Sequence, residues 1–194
     1  MNEDTRKHII EAVATHKKMI AEFEQRGVET IAAIAEALTE ALERGGTLYL
    51  CGNGGSAADA QHVAGEFVGR FCRQRKALPA VALTTDTSVL TCIANDYAYE
   101  NVFARQAEAL VRSGDILWVF STSGTSANVI AAARVAREKG ARVVAFTGKA
   151  GSPLEHVADL CFCADAESTA RSQEIHQLAY HIICDLVERR FANS

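Results

Sequence analysis

Five short apolar runs, most of them separated by helical patterns, predict an α/β fold built on a doubly wound parallel sheet of five strands. The runs lie at residues 47–51, 80–84, 116–120, 142–146 and 160–163. They are apolar nearly throughout, as strands covered on both faces are. Alternation of strand and helix favours right-handed parallel crossovers over a meander. The chain has only two prolines, no internal repeat and no linker-like tract. One domain over residues 1–194 is therefore expected, with a helical extension at 1–45 and an α/β core at 46–194 that includes a C-terminal helix.

The elements follow in order. The first ~27 residues read as a helix, with Ile9, Val13, Ile20 and Phe23 near helical spacing and a stop at Gly27. A second helix runs from about Val28, carrying Ile31, Ile34, Ala35, Leu38 and Leu42 on one stripe and ending at Gly45-Gly46. The strand-rich region then begins. The final stretch, roughly 169–190, is a long amphipathic helix.

Composition narrows the function classes. Of 194 residues, 48% are hydrophobic and 23% charged, which suits an ordinary globular core and excludes a disordered chain. Lys plus Arg is 20 and Asp plus Glu is 24, so the net charge is 20 − 24 = −4. Without a basic block, no nucleic-acid partner is expected. No apolar run approaches the ~18 residues of a membrane span, so no membrane partner is expected either. The first residues, Met1 to Arg6, lack the apolar segment of a secretory signal. Six cysteines, at 51, 72, 92, 161, 163 and 184, sit mostly in apolar stretches and match no disulfide framework or zinc-finger spacing. Cys161 and Cys163 read as buried thiols on one strand face. A reducing, cytoplasmic location is expected.

In such a sheet ligands bind beyond the carboxyl ends of the strands, so the loops there are the place to seek chemistry. After the first strand comes Gly52-Asn53-Gly54-Gly55-Ser56-Ala57-Ala58-Asp59. Glycines permit a sharp turn that exposes backbone amides at a helix start. The segment nearly matches a dinucleotide fingerprint, but the next acid closing a strand, Asp86, lies well beyond the ~20-residue offset that fingerprint needs. Alternatively, Ser56 and Asp59 form a capping pattern. After the third strand comes Ser121-Thr122-Ser123-Gly124-Thr125-Ser126-Ala127-Asn128. Five hydroxyls and a glycine before a helix suit a small phosphate ester, and exceed what one helix cap uses. The loop lacks the Gly-Lys-Ser/Thr signature of a nucleotide-binding P-loop.

His62 and Glu66 are four residues apart and share a helix face, as a surface ion pair would. Gln173 and His181 lie two turns apart on the last helix, roughly 80° from each other around its axis. His176 falls further around. Together His62, Glu66, Gln173 and His181 offer imidazole, carboxylate and amide donors that suit zinc. Nothing in their spacing brings the two helices together.

The segment from Cys51 through His62 with Glu66, Ala94-Asn95-Asp96, Ser121-Thr122-Ser123-Gly124, and Arg171-Ser172-Gln173-Glu174 with His176 and His181 resemble the phosphoheptose isomerase family of the sugar isomerase (SIS) superfamily. The resemblance covers essentially the whole chain. It implies a flavodoxin-like SIS domain in a homotetramer with active sites at subunit interfaces. It also implies conversion of sedoheptulose 7-phosphate to D-glycero-D-manno-heptose 7-phosphate through an enediol. By the same carry-over Asn53, Gly54, Gly55, Ser56, Glu66, Asn95, Asp96, Ser121, Thr122, Ser123, Ser126 and Gln173 contact the sugar phosphate. His62, Glu66, Gln173 and His181 hold one zinc ion per subunit; the proton transfer of an aldose–ketose shift then calls for a base and an acid, expected to be Glu66 and His181. The chain departs from the family pattern at Thr125, commonly Asn, and at Ser172, commonly Ile. Two alternatives follow from relatives: a non-catalytic scaffold that binds the bacterial replication initiator, and another SIS sugar-phosphate enzyme. The scaffold lacks the equivalents of Glu66 and His181.

Overall fold

The computed structural model describes residues 2–192. Two long helices, α1 (Glu3–Arg26) and α2 (Val28–Glu43), precede the core. The core runs β1 (Leu48–Gly52), α3 (Gly55–Val68), β2 (Ala80–Ala82), α4 (Thr87–Asp96), a 3-10 turn (Tyr99–Asn101), α5 (Ala104–Leu110) and β3 (Ile116–Ser121). It continues through α6 (Ala127–Glu138), β4 (Arg142–Thr147), α7 (Pro153–Val157), β5 (Leu160–Cys163) and α8 (Thr169–Phe191). All strand pairings are parallel, in the order β2-β1-β3-β4-β5. This is the flavodoxin-like order, with its switch point between β1 and β3. The two loops singled out in the sequence are therefore neighbours at that crevice.

Alternation along the strands divides the core into two layers. Leu48, Leu50, Ile116, Trp118, Phe120, Val144 and Phe146 face α2, α3 and α8. Cys51, Leu117, Val119, Val143 and Ala145 face α4 to α7. Every residue of β3 is buried, which is why residues 116–120 read as an unbroken apolar run before Ser121. The strand expected over 80–84 pairs only at Ala80–Ala82. The Leu83 N–H still donates to the Leu50 carbonyl at 2.8 Å, but the Gln106 amide takes the Leu83 carbonyl at 3.0 Å. That side-chain bond ends the ladder.

One expectation about burial needs correction. Cys161 and Cys163 are half-buried rather than buried, because β5 is an edge strand beside an open groove of about 200 Å³ walled by α1 and α2. All six cysteines are unpaired. On α1 only Met19 is buried, and Phe23 packs edge-on against Phe162 at 5.5 Å. Ile9, Val13 and Ile20 keep helical spacing and lie exposed. Among the described residues no helix is long and apolar enough to cross a membrane.

His176, on the inner face of α8, is completely buried, and its Nε2–H donates to the Thr147 carbonyl at 2.9 Å. Its Nδ1 is buried without a partner. Burial lowers its pKa to about 4, against the backbone hydrogen bond. Above the ordinary histidine value both folded and unfolded states are neutral there. As pH falls from about 6.5 towards 4 only the unfolded state takes the proton, so stability drops. The expected loss from this group is about 3 kcal/mol. It is read as the difference in pH slope between wild type and His176→Gln in urea unfolding; equal slopes would refute the assignment.

Candidate active site

β1 delivers the chain into a turn in which Gly54 adopts φ +55°, ψ −121°, a conformation suited to glycine. α3 begins immediately at Gly55, and no side chain caps it. The capping role expected for Ser56 and Asp59 is thus overturned. Ser56 already lies inside the first turn, buried, with its N–H on the Asn53 carbonyl at 3.0 Å. Asp59 instead meets the Tyr180 hydroxyl at 3.5 Å. Burial pushes its pKa up to about 6, partly countered by Tyr180 and His62.

Asn53 joins this loop to the next one. Its Nδ2 donates to Asn128 Oδ1 at 2.9 Å, and Asn128 Nδ2 donates back at 2.8 Å. The Tyr99 hydroxyl also donates to Asn53 Oδ1, at 2.9 Å. This amide pair bridges the crevice between β1 and β3. Asn128 sits in the first turn of α6, buried. Neither Asn128 nor Tyr99 was expected as a site residue, since a lone Asn inside a helical pattern carries no signal of its partner.

In the loop after β3, the hydroxyls of Ser121 and Ser126 lie 2.9 Å apart, and those of Ser121 and Ser123 3.4 Å apart. Ser123 Oγ also accepts from the Thr125 N–H at 3.2 Å and the Thr125 hydroxyl at 3.0 Å. Thr125, the departure from the family pattern, therefore ties into the loop through a hydroxyl. Thr122 reaches Thr169 at the start of α8, at 3.5 Å. Gly124 has φ +64°, and a Cβ there would overlap Ser152. The loop is a set of mutually bonded hydroxyls at the amino end of α6, where Ser126, the residue before the helix, makes no side-chain cap.

α3 and α8 pack together, and their contact makes the third part of the site. His62 Nε2 is 3.0 Å from Glu66 Oε1 and 3.4 Å from His181 Nε2. One donor atom from each of His62, Glu66 and His181 falls within a 4.8 Å cluster, an arrangement that could hold a metal ion. Burial lowers the His181 pKa, and neighbouring His62 lowers it further, against Glu66. A neutral ring keeps a lone pair available. The i,i+4 pair seen in the sequence is therefore no isolated surface pair, because a second helix adds an imidazole 119 residues away.

Gln173 lies one end of the groove away, over Gly55, where a Cβ would overlap its carboxamide. The rise of α3 puts Gly55 about 10 Å from His62 along the axis. Asn95 and Asp96 stay at the exposed end of α4, the Asn95 amide donating to Asp96 at 2.8 Å. The adjoining 3-10 turn links them to the crevice through Tyr99.

Comparison with known proteins places the chain in a family. The SIS domain family model matches residues 13–148. A phosphoheptose isomerase from a Roseiflexus species is 57% identical over 172 residues, covering 87% of each chain. One from Geotalea daltonii is 48% identical, covering 92% of this chain and 93% of its own. The solved phosphoheptose isomerase from Neisseria gonorrhoeae superposes with a TM-score of 0.91 at 41% identity, covering 95% of this chain and 99% of that one. That from Francisella tularensis gives 0.92 at 32% identity, covering 97% and 100%. The sheet order, the two loops at its switch point and these similarities lead to one conclusion: the chain belongs to the phosphoheptose isomerases, sugar-phosphate isomerases of the SIS-domain family.

Proposed function

We propose that the protein interconverts sedoheptulose 7-phosphate and D-glycero-D-manno-heptose 7-phosphate, an opening step towards nucleotide-activated heptose. The observation that carries this reading is the separation between the hydroxyl loop and the His62, Glu66 and His181 cluster. A phosphate at the crevice of Asn53, Gly54, Gly55, Ser56, Ser121, Thr122, Ser123 and Ser126 leaves the far end of an open seven-carbon chain to reach down the α3–α8 groove. The reacting carbons, C1 and C2, are at that far end. Remote phosphate binding then orients the chemical step. Asn95 and Asp96, at the end of α4, would reach the sugar from beside Tyr99, and Gln173 would meet it at Gly55.

Moving the carbonyl from C2 to C1 needs a proton taken from one carbon and returned to the other. Glu66 takes the C1 proton on a carboxylate oxygen and returns it to C2. His181 supplies and withdraws the proton on the enediol oxygens. His62, Glu66 and His181 would hold zinc, their imidazole and carboxylate donors fitting that ion; Gln173, whose carboxamide lies over Gly55, would have to swing along the groove to join them. A zinc ion there would act as a Lewis acid on the carbonyl and enediol oxygens. The family resemblance also supports a homotetramer with active sites at subunit interfaces, for which the exposed Ile9, Ile10, Val13 and Ile20 of α1 supply an apolar face. The unpaired cysteines are consistent with a reducing cytoplasm.

Purified protein mixed with sedoheptulose 7-phosphate should form the aldose heptose 7-phosphate, followed by NMR. Chelation should abolish the conversion, and added zinc should restore it. No conversion with zinc present would overturn the reading and favour the scaffold, which a pull-down of the replication initiator would reveal. Gly124→Ala tests the phosphate loop: the strained φ and the overlap with Ser152 should cost about 1–3 kcal/mol. KM should rise more than kcat falls, and an unchanged KM would remove this loop from phosphate binding.

A further inference from the structure

Tyr180 and Asp59 lie behind the His62, Glu66 and His181 cluster, and no step above uses them. Tyr180 is buried, with 1% of its surface exposed. Its ring meets His62 edge-on at 5.4 Å and His181 edge-on at 4.8 Å, while those two imidazoles stand 5.0 Å apart. The Tyr180 oxygen is 3.1 Å from His62 Nδ1 and 3.5 Å from Asp59 Oδ1. The other Asp59 oxygen, Oδ2, is buried with no hydrogen-bond partner.

These distances constrain the hydrogens. His62 presents Nε2 to Glu66 and His181, so a metal ion in that cluster takes the Nε2 lone pair. The ring must then carry its proton on Nδ1, and that N–H needs an acceptor. Tyr180 Oη is the atom in reach. Having accepted from Nδ1–H, the hydroxyl must direct its own hydrogen elsewhere, and Asp59 Oδ1 is the acceptor present. We propose that Tyr180 and Asp59 are positioning residues for the metal site, a relay running from His62 Nδ1–H to Tyr180 Oη–H to Asp59 that fixes the ligating tautomer of His62.

The relay rests on the metal reading proposed above, and goes beyond it in assigning two residues that touch neither metal nor substrate. It separates two functions of Tyr180. The ring packs edge-on against both imidazoles, whereas the hydroxyl sets a proton position. Tyr180→Phe keeps the first and deletes the second.

The test is zinc affinity, measured by competition with a chromophoric chelator at one fixed pH, for wild type, Tyr180→Phe, Asp59→Ala and the double variant. Loss of such an outer partner typically weakens metal binding by about 10–100-fold, and Tyr180→Phe should fall in that range. Asp59→Ala should weaken binding less. Asp59 acts on His62 through the Tyr180 hydroxyl, so adding Asp59→Ala to Tyr180→Phe should cost no more than about a further twofold. The melting temperature of each metal-free variant reports fold separately. Zinc binding by Tyr180→Phe as tight as wild type, or losses that add in the double variant, would overturn the relay. Should Tyr180→Phe not fold, wild-type zinc affinity in Asp59→Ala would overturn it equally. A wild type that holds no zinc would overturn the metal site itself and the relay with it, a result distinct from unequal variants of a zinc-binding protein.

Discussion

Glu66→Gln should lower kcat by about 10²–10⁴-fold while substrate still binds, the range expected when a positioned general base is lost. Gln keeps the length and shape of the side chain and can still meet His62, which lies 3.0 Å from Glu66 Oε1. It cannot take a carbon-bound proton at neutral pH. The hydroxyl loop and the amide bridge of Asn53 and Asn128 are not altered, so substrate titrated into the variant should still perturb the NMR signals of that loop. A loss of turnover has two sources, because Glu66 also belongs to the metal-capable cluster. Saturating zinc separates them. Activity lost through a weakened metal site returns as zinc is raised, whereas activity lost with the base does not. Turnover within a few fold of wild type at saturating zinc would remove Glu66 from the proton transfer.

The fold was legible because its physics is local. A strand buried on both faces is apolar along its length, and β3 is buried throughout and apolar from Ile116 to Phe120. The glycines that close α1 and open α3 likewise stand where the chain turns. Local pattern and structure part where register or a distant partner decides. Ser56 and Asp59 match a capping spacing, but α3 starts at Gly55, so Ser56 sits one residue inside the helix. The hydroxyl density after β3 was visible, as was the shared face of His62 and Glu66. What brings His181 to them is the packing of α8 on α3, and no periodicity announces it; only the family resemblance did. Asn128, Tyr180 and Glu188 are polar atoms inside helices, whose partners lie 75, 118 and 115–117 residues away. Their sequence neighbours look like ordinary core.

Glu188 is the clearest of these, and Glu188→Ala should destabilise the protein by about 3–5 kcal/mol, the cost of breaking a buried ion pair from one side. The carboxylate is 1% exposed, near the end of α8. It accepts the backbone N–H groups of Phe71, Cys72 and Arg73 at 2.8, 2.6 and 2.7 Å, and Arg75 Nε lies 3.5 Å away. Burial alone would raise its pKa, but the three N–H groups and Arg75 outweigh that and hold it below the usual range. Arg75 in turn donates to the carbonyls of Glu66 at 2.6 Å and of Gly69 at 3.1 Å, at the end of α3. Removing the carboxylate strands a buried guanidinium and three amides together. At this chain length the melting temperature should fall by about 6–20 °C. The segment so anchored also carries Phe71, whose ring lies 5.5 Å from that of His181, so turnover at a temperature where the variant remains folded should decline as well. Arg75→Met combined with Glu188→Leu separates charge balance from packing: without a stranded charge, it should be more stable than Glu188→Ala. A melting temperature for Glu188→Ala within about 2 °C of wild type would show that α8 holds this segment by its apolar contacts alone.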